Sequence, residues 1–503
     1  MTTPDRIPVI IAIGEVTDRP QQPEQALEPV ALMAEALRRA DADGGGGLLA
    51  EIDTLSLVGQ ITWPYANAVG RLCELLEIAP AQPVNASMGG ETPIRLLHEA
   101  ALRIASGEGR VSAIVGGESM HALGKARKAG ATLDWTPPVP RDQVPRLDGS
   151  WLKISPQSKA MGVVSPTQLY PLYENAWQAH EGQTPAEGRR AAAELWSLYA
   201  AVAAENPFAW IRTNPTPAEI EAVGPANRMI AWPYPKLMVA NPTVNQSAAI
   251  IVTSLERART AGIPDDRLVY VWGGAKAAEV DDYLYRDRFD GSTAQTAVLD
   301  KAVEVAGGDS RAFDHIELYS CFPVVPKMAL SALGLPADTT PTTAGGITFF
   351  GGPMNNYMSH AICGMVRKLR ENPGDMGLLY GQGGFVNKHH AVVVSGRPPA
   401  SPLETDISVQ AHADETRGPV PPLTNDYQGP ATIETFTILY DREGEVDQGV
   451  VVARTPAGER LLARVEQTDA AGLAVLTRLD ATAIGAAGMV KANASGMLLW
   501  TAA

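Results

Sequence analysis

Along residues 5–398, short apolar runs alternate with stretches whose apolar residues recur at helical spacing. Val9–Ile13 reads as a strand that ends at Gly14, and Ala26–Ala40 reads as a helix closed by the glycines Gly44–Gly47. Thr54–Val58 is the next strand. After Gly89 and Gly90 a helix runs to about Ile104, and Ser112–Val115 is a third strand ending in Gly116 and Gly117. Near-continuous apolar strands between amphipathic helices predict a parallel α/β sheet with helices on both faces.

The same order returns downstream. Leu268–Trp272, Ile316–Tyr319 and Gly377–Tyr380 read as strands, with helices over Thr296–Val305 and Asn356–Arg370. "GGETPIRLLHEAALRIASGEGRVSAIVGG" corresponds to "GGPMNNYMSHAICGMVRKLRENPGDMGLLYGQGG", and "LLAEIDTLSLVG" to "SRAFDHIELYSC". The chain is therefore an internal duplication, with halves over 1–262 and 263–398, each expected to build its own sheet and to pack through shared helices. An insertion over about 123–235, rich in Trp, Tyr and Pro and containing a helix near Glu187–Glu205, is too long for a loop and predicts a subdomain.

Past residue 398 the pattern changes period. Pro398, Pro399, Pro402, Pro419, Pro421 and Pro422 mark a linker over 399–430. From 431 to 503, "TIETFTILY", "QGVVVARTPAGERLLARVE", "LAVLTRL" and "GMVKA" alternate apolar and polar positions between turns, which predicts a small closed OB-like barrel.

Composition narrows the function. A length of 503 residues allows two to four domains, and a hydrophobic share of 45% with 19% charged residues is that of a globular protein. The formal net charge of −15 argues against non-specific nucleic-acid or anionic-membrane binding. Residues 405–503 carry 7 Lys or Arg against 13 Asp or Glu, and only Tyr427, Phe436, Tyr440 and Trp500 as aromatics, a poor composition for tracking a phosphate backbone. Three well-separated cysteines, Cys73, Cys321 and Cys363, give neither a disulfide framework nor a zinc signature, so no metal is expected. With no basic leader, and no apolar run of ~18 residues, a cytoplasmic location is the default expectation.

"VGGESM" (115–120), "ENPFAWIR" (205–212), "NPTVNQSAAIIVTSLERARTAG" (241–262) and "GGITFFGGP" (345–353) occur in an order and spacing that resemble the thiolases. Within that superfamily the chain is most similar to the branch linked to sterol carrier proteins, and within it to thiolase-like proteins with an additional C-terminal domain. The resemblance implies a duplicated five-layer αβαβα fold with an inserted loop domain. Its active site would lie where the halves meet, with coenzyme A entering under the loop domain.

The residues that carry thiolase chemistry are missing from the matching positions. The nucleophile's turn reads "VNASMGG", which puts Met88 at the cysteine, and a thioether cannot form an acyl-enzyme. Ser87 stands one residue away. The histidine of the Gly-His-Pro frame falls on Gly352, where a void is expected, and His360 lies on the following helix. The oxyanion-holding position is Tyr319 of "YSCF", a single hydroxyl donor. Cys321 is the one reactive type retained: either an acid/base thiol or an inert packed one. The second catalytic cysteine falls on Tyr380 of "YGQGG", and the backbone N–H of Gln382 remains available to pair with that of Met88 around a thioester oxygen. Tyr319, Phe349, Phe350 and Tyr380 are expected to fill vacated space.

For coenzyme A itself, the resemblance points to Asn245 and Ser247 on the pantetheine-side loop. A cationic cluster at Lys125, Arg127 and Lys128, with Arg141 and Arg146 nearby, is suited to its phosphates. The expectation is a protein of lipid or steroid metabolism that binds CoA or acyl-CoA, needs no cofactor, and lacks thiolase activity. The alternatives are an acyltransferase or hydrolase working through Cys321, and a scaffold that pairs with a thiolase-like or OB-like partner. Monomer and homodimer both remain open.

Overall fold

The structure is a computed structural model of the chain and describes residues 3–145 and 154–503. The first half runs β1 (Pro8–Thr17), α1 (Pro29–Asp43), β2 (Thr54–Leu57), α2 (Ala68–Leu76), β3 (Gln82–Asn85), α3 (Thr92–Ser106), β4 (Val111–Ser119) and α4 (Met120–Ala129). The helix expected from Ala26 starts at Pro29, because a proline at the first helical position costs no hydrogen bond. It stops at Gly44, followed by Gly45, Gly46 and Gly47 at φ of +91°, +87° and +85°, a conformation side chains resist.

The insertion contributes α5 (Pro156–Ala160), α6 (Pro166–His180), α7 (Pro185–Glu205), α8 (Pro217–Glu221) and the hairpin β5 (Met229–Ala231) to β6 (Tyr234–Pro235). Thr184 and Thr216 form capping boxes with Glu187 and Glu219, which fixes where α7 and α8 begin. Strand β7 (Asn245–Ser254) and helix α9 (Leu255–Thr260) complete the first half. The second half consists of β8 (Val269–Ala278), α10 (Thr293–Val305), β9 (His315–Leu318), α11 (Val324–Ala332), α12 (Tyr357–Glu371), β10 (Met376–Gly383) and β11 (Lys388–Ser395).

Strand order shows the duplication. In the first half β3, β2 and β4 are parallel, and β7 and β1 follow antiparallel; in the second half β9 and β10 are parallel, and β11 and β8 follow antiparallel. The halves do not keep wholly separate sheets. Val9 pairs with Tyr270 and Ile10 with Val269, joining β1 to β8 in one nine-stranded array and leaving neither edge backbone unpaired there. Helices α3 and α12 pack on each other and on strands of both halves, α1 covers the outer face of the first and α10 that of the second. This is the five-layer αβαβα arrangement.

Residues 399–430 are more than a linker. Helix α13 (Gln410–Thr416) packs on α10 and β8, Lys276 N donates to Ile407 O at 2.8 Å, and Val409 N donates to Lys276 O at 3.1 Å. The C-terminal unit holds β12 (Gly429–Tyr440), β13 (Val446–Arg454), β14 (Arg460–Glu466), α14 (Ala470–Thr477), β15 (Ala487–Ala492) and β16 (Leu498–Ala502). Its strands close in the order β12-β13-β14-β16-β15-β12, with β14 and β16 parallel and α14 between the third and fourth strands, an OB-like barrel. The insertion's hairpin extends the same sheet through Leu439 and Ala231.

Candidate functional site

Where the halves meet, a cavity of about 310 Å³ opens beside the amino end of α3. Met88, Gly89 and Gly90 form one wall. Tyr319, Cys321 and Phe322 come from the segment after β9, Gln382 from the end of β10, and Pro166, Thr167 and Tyr170 from the insertion. Gly90 makes the closure possible: a Cβ there would lie 2.2 Å from Tyr319 Oη and 2.4 Å from Gln382 O. The Tyr170 ring stacks on Phe322 with centroids 4.4 Å apart, which gives the cavity an aromatic wall.

The wall is chemically quiet. Cys321 is 8% exposed, its Sγ lies 3.8 Å from Gln382 Oε1, and burial pushes its thiol up to about 12. It is therefore a neutral thiol under ordinary conditions, not a thiolate. Gln382 Oε1 also accepts from Tyr170 Oη at 2.9 Å, and Gln382 Nε2 donates to Gly383 O at 2.6 Å. Burial, together with Cys321 and Glu91, raises the Tyr319 phenol well above its ordinary value, so it stays protonated and able to donate. None of the eight histidines lines the cavity.

Five of the positions singled out in the sequence meet here: Met88, Tyr319, Cys321, Gly352 and Gln382. The void expected at Gly352 is not present. A Cβ there would lie 2.5 Å from Ile347 Cγ2, because the turn Gly346–Phe350 turns Ile347 into the space. Phe349 and Phe350 are fully buried and lie outside the cavity wall. His360 is no displaced base: its Nδ1 lies 2.6 Å from the buried carboxylate of Glu15. Ser87 faces away, its hydroxyl accepting from Arg95 Nη2 at 3.0 Å.

Other expectations require correction. Tyr380 does not line the cavity. It lies two residues further down β10 than Gln382, roughly 7 Å, and its hydroxyl pairs with His389 Nδ1 at 2.7 Å and Gln295 Nε2 at 2.9 Å. Gln382 lines the cavity, with its carboxamide Oε1 shared between Tyr170 Oη and Cys321 Sγ. Asn245 and Ser247 are wholly buried and internally engaged. Asn245 Oδ1 accepts from Ala122 N at 3.0 Å, and Ser247 Oγ donates to Gly116 O at 2.7 Å, so neither faces a ligand. Lys125, Arg127 and Lys128 are exposed on α4, and Arg141 is exposed on the following segment; none lines the cavity. Arg146 lies outside the described residues.

Sequence reasoning missed Tyr170, Thr167, Asn355, Lys388 and Glu91. Lys388 opens β11 and is the cation of the cavity wall. Its signal was a basic residue after the paired glycines Gly383 and Gly384. Glu91, three residues past Met88, is 6% exposed with Oε2 unpartnered; burial raises its carboxyl, which Lys388 partly offsets. Among the described residues no cluster of His, Cys, Asp or Glu is arranged to hold a metal, and no helix is long and apolar enough to cross a membrane.

No protein of curated function matches the chain. Residues 409–495 match the family description "thiolase-like protein type 1 additional C-terminal domain". Among solved structures, the dimeric peroxisomal thiolase of Saccharomyces cerevisiae aligns at 13% identity over 78% of this chain and 98% of its own, with a TM-score of 0.56. Human mitochondrial 3-ketoacyl-CoA thiolase in complex with CoA aligns at 12% identity over 78% and 98%, with a TM-score of 0.55. Those two share the fold alone. A monomeric SCP2-thiolase-like protein type 1 from Mycobacterium smegmatis aligns at 30% identity over 100% of both chains, with a TM-score of 0.84. With the whole length matched, barrel included, the chain belongs to the SCP2-thiolase-like proteins of type 1.

Proposed function

We propose that this protein binds an acyl thioester of coenzyme A in the cavity between its halves and carries out neither condensation nor thiolysis. One observation supports the reading: the cavity is largely apolar, and the positions that the resemblance gives to thiolate and base hold Met88 and Gly352, the latter with Ile347 packed against it. Its volume of about 310 Å³ suits an acyl-thioester end rather than a whole coenzyme. The nucleotide's phosphates would stay outside, near Lys388 at the wall and the exposed cations of α4. A role for Cys321 as nucleophile is disfavoured, since its thiol is held up at about 12 with no imidazole among the cavity residues. We place the protein in lipid or steroid acyl-CoA metabolism and, like the relative described as monomeric, as a monomer.

The test is calorimetric titration with CoA, acetyl-CoA and acetoacetyl-CoA, with thioester absorbance followed in the same samples. Micromolar binding with an unchanged thioester is the expected result. Thiolysis of acetoacetyl-CoA that disappears in Cys321→Ala would overturn it, and absence of any binding would move attention to protein partners such as a second thiolase-like or OB-like subunit.

A further inference from the structure

The inner face of a buried parallel sheet is ordinarily apolar. At the outer end of the first half it is not. In the register of β3, β2 and β4, Thr54 stands between Gln82 and Ser112, with Ser56 two residues on. Opposite them α3 presents Arg95, Glu99 and Arg103, spaced by four and so on one face. These groups line a second cavity, of about 490 Å³, apart from the one described above. It opens beside the exposed edge strand β3.

Two donors in this wall are buried without a partner: the hydroxyl of Ser112, a residue 1% exposed, and Nε of Arg103. The charges do not cancel evenly. Arg95 Nη1 holds Glu99 Oε1 at 2.7 Å, which neutralises that pair, and Thr54 donates to Asp53 at 3.0 Å. Arg103 makes one long bond, Nη2 to Glu108 O at 3.5 Å, and has no ion pair among the described residues, so it is the unpaired cation of this wall. An orphaned buried hydroxyl is explained by a water; an orphaned guanidinium N–H in the same cavity wall calls for an anion, whose charge-assisted bonds are the stronger.

We propose that this second cavity binds a small oxyanion of the phosphate class, held by Arg103 and by the hydroxyls of Ser56 and Ser112. The site communicates with the acyl cavity. Arg95 Nη2 donates to Ser87 Oγ at 3.0 Å, and Ser87 adjoins Met88. An anion that draws on the Arg95–Glu99 pair shifts this bond and is felt at the Met88 turn.

The experiment titrates the full chain, carrying methyl-labelled methionine, with inorganic phosphate and separately with glycerol 3-phosphate, against chloride at matched ionic strength. Heat is read by calorimetry, and the Met88 methyl resonance, identified by its loss in M88L, is read by NMR. The expected result is a saturable heat and a saturable Met88 shift with phosphate, absent with chloride. R103Q weakens binding about tenfold or more, S112A weakens it less, and both variants melt near the parent. S112A removes an unsatisfied donor, so it stays folded whichever role the serine has. Response to the monoester alone assigns the site to esters; equal response assigns it to the oxyanion itself. Heat indistinguishable from chloride, or binding unchanged in R103Q and S112A, overturns the proposal and leaves a hydrated cavity.

Discussion

At the scale of single residues, the cavity between the halves is defined by how its atoms are protonated and packed. Cys321 is the test. Burial raises its thiol from the ordinary 9.0 to about 12, so it stays protonated in the folded chain. In native protein at pH 8, iodoacetamide is expected to leave Cys321 unmodified until denaturant is added, as read by peptide mass spectrometry. Linkage gives the sign. The unfolded thiol ionises from about 9 and the folded one does not, so the stability it contributes is complete below pH 9 and declines between about 9 and about 12. Cys321→Ala should flatten that part of the stability–pH curve. Gly352 carries a second prediction. Placing an imidazole there as G352H drives a side chain into Ile347, whose Cγ2 lies 2.5 Å from the Cβ position. Overpacking of this kind costs about 1–3 kcal/mol. G352H alone should lower the denaturation midpoint, and I347A combined with G352H should recover most of it. Recovery failing in the double variant would mean that backbone, not Ile347, fills the space.

At the scale of elements, the period of the apolar positions made the strands and helices of both halves legible, because each buries one face or both against a neighbour. The break at 398 was legible for the same reason: alternation of period two replaced helical spacing. What the chain does between elements was not. Asn245 and Ser247 are polar residues in a motif and invited a ligand, yet their polarity serves to tie β7 to α4 and β4. The motif frame also placed a reagent at Tyr380, while the positions of the same strand that line the cavity are Gln382 and Gly383. Proline counts suggested a free linker, whereas Ile407 and Val409 bond to Lys276 and Arg417 reaches Glu279, its Nη2 lying 3.3 Å from Oε2. That carboxylate yields an acid-stability prediction. Burial alone would raise it, but Arg286, the Ala294 N–H and the Ser292 hydroxyl outweigh burial and hold it at about 2 against an ordinary 4.5. Its contribution is therefore present above pH 4.5 and lost as pH falls towards 2, on the order of 3 kcal/mol. Glu279→Gln should cost stability at neutral pH and remove its share of the loss in that acid window, measured by urea melts from pH 7 to 2.

At the scale of the whole molecule, the question is whether the barrel is a passenger or a structural member. OB-like barrels elsewhere present a sheet face to ligands. Here Gln448 of β13 donates from Nε2 to Met161 O at 2.8 Å, and Asn175 of α6 donates from Nδ2 to Phe436 O of β12 at 2.8 Å, so the insertion already engages the barrel. The strongest tie is Arg460, fully buried at the start of β14. Its Nη1 donates to the carbonyls of Leu284 and Arg286 in the second half at 2.6 and 2.5 Å, its Nε and Nη2 hold Glu434 at 2.8 and 2.6 Å, and the guanidinium lies 4.8 Å over the Phe289 ring. A barrel fastened this way supports the same insertion that supplies Tyr170 and Thr167 to the cavity between the halves. It should therefore unfold with the core and not before it. Arg460→Met keeps the stem but removes every donor, strands two buried carbonyls, and leaves Glu434 to Arg454 alone, at a cost of about 3 kcal/mol or more. The expected outcome is one calorimetric transition in the parent and two in R460M. In hydrogen exchange, amides of β12–β16 should lose protection first, while those of β1 and β8 stay protected. Should R460M keep a single transition with uniform protection, the barrel is held by its apolar contacts and the shared β5–β12 pairing instead, and the clamp is incidental to its attachment.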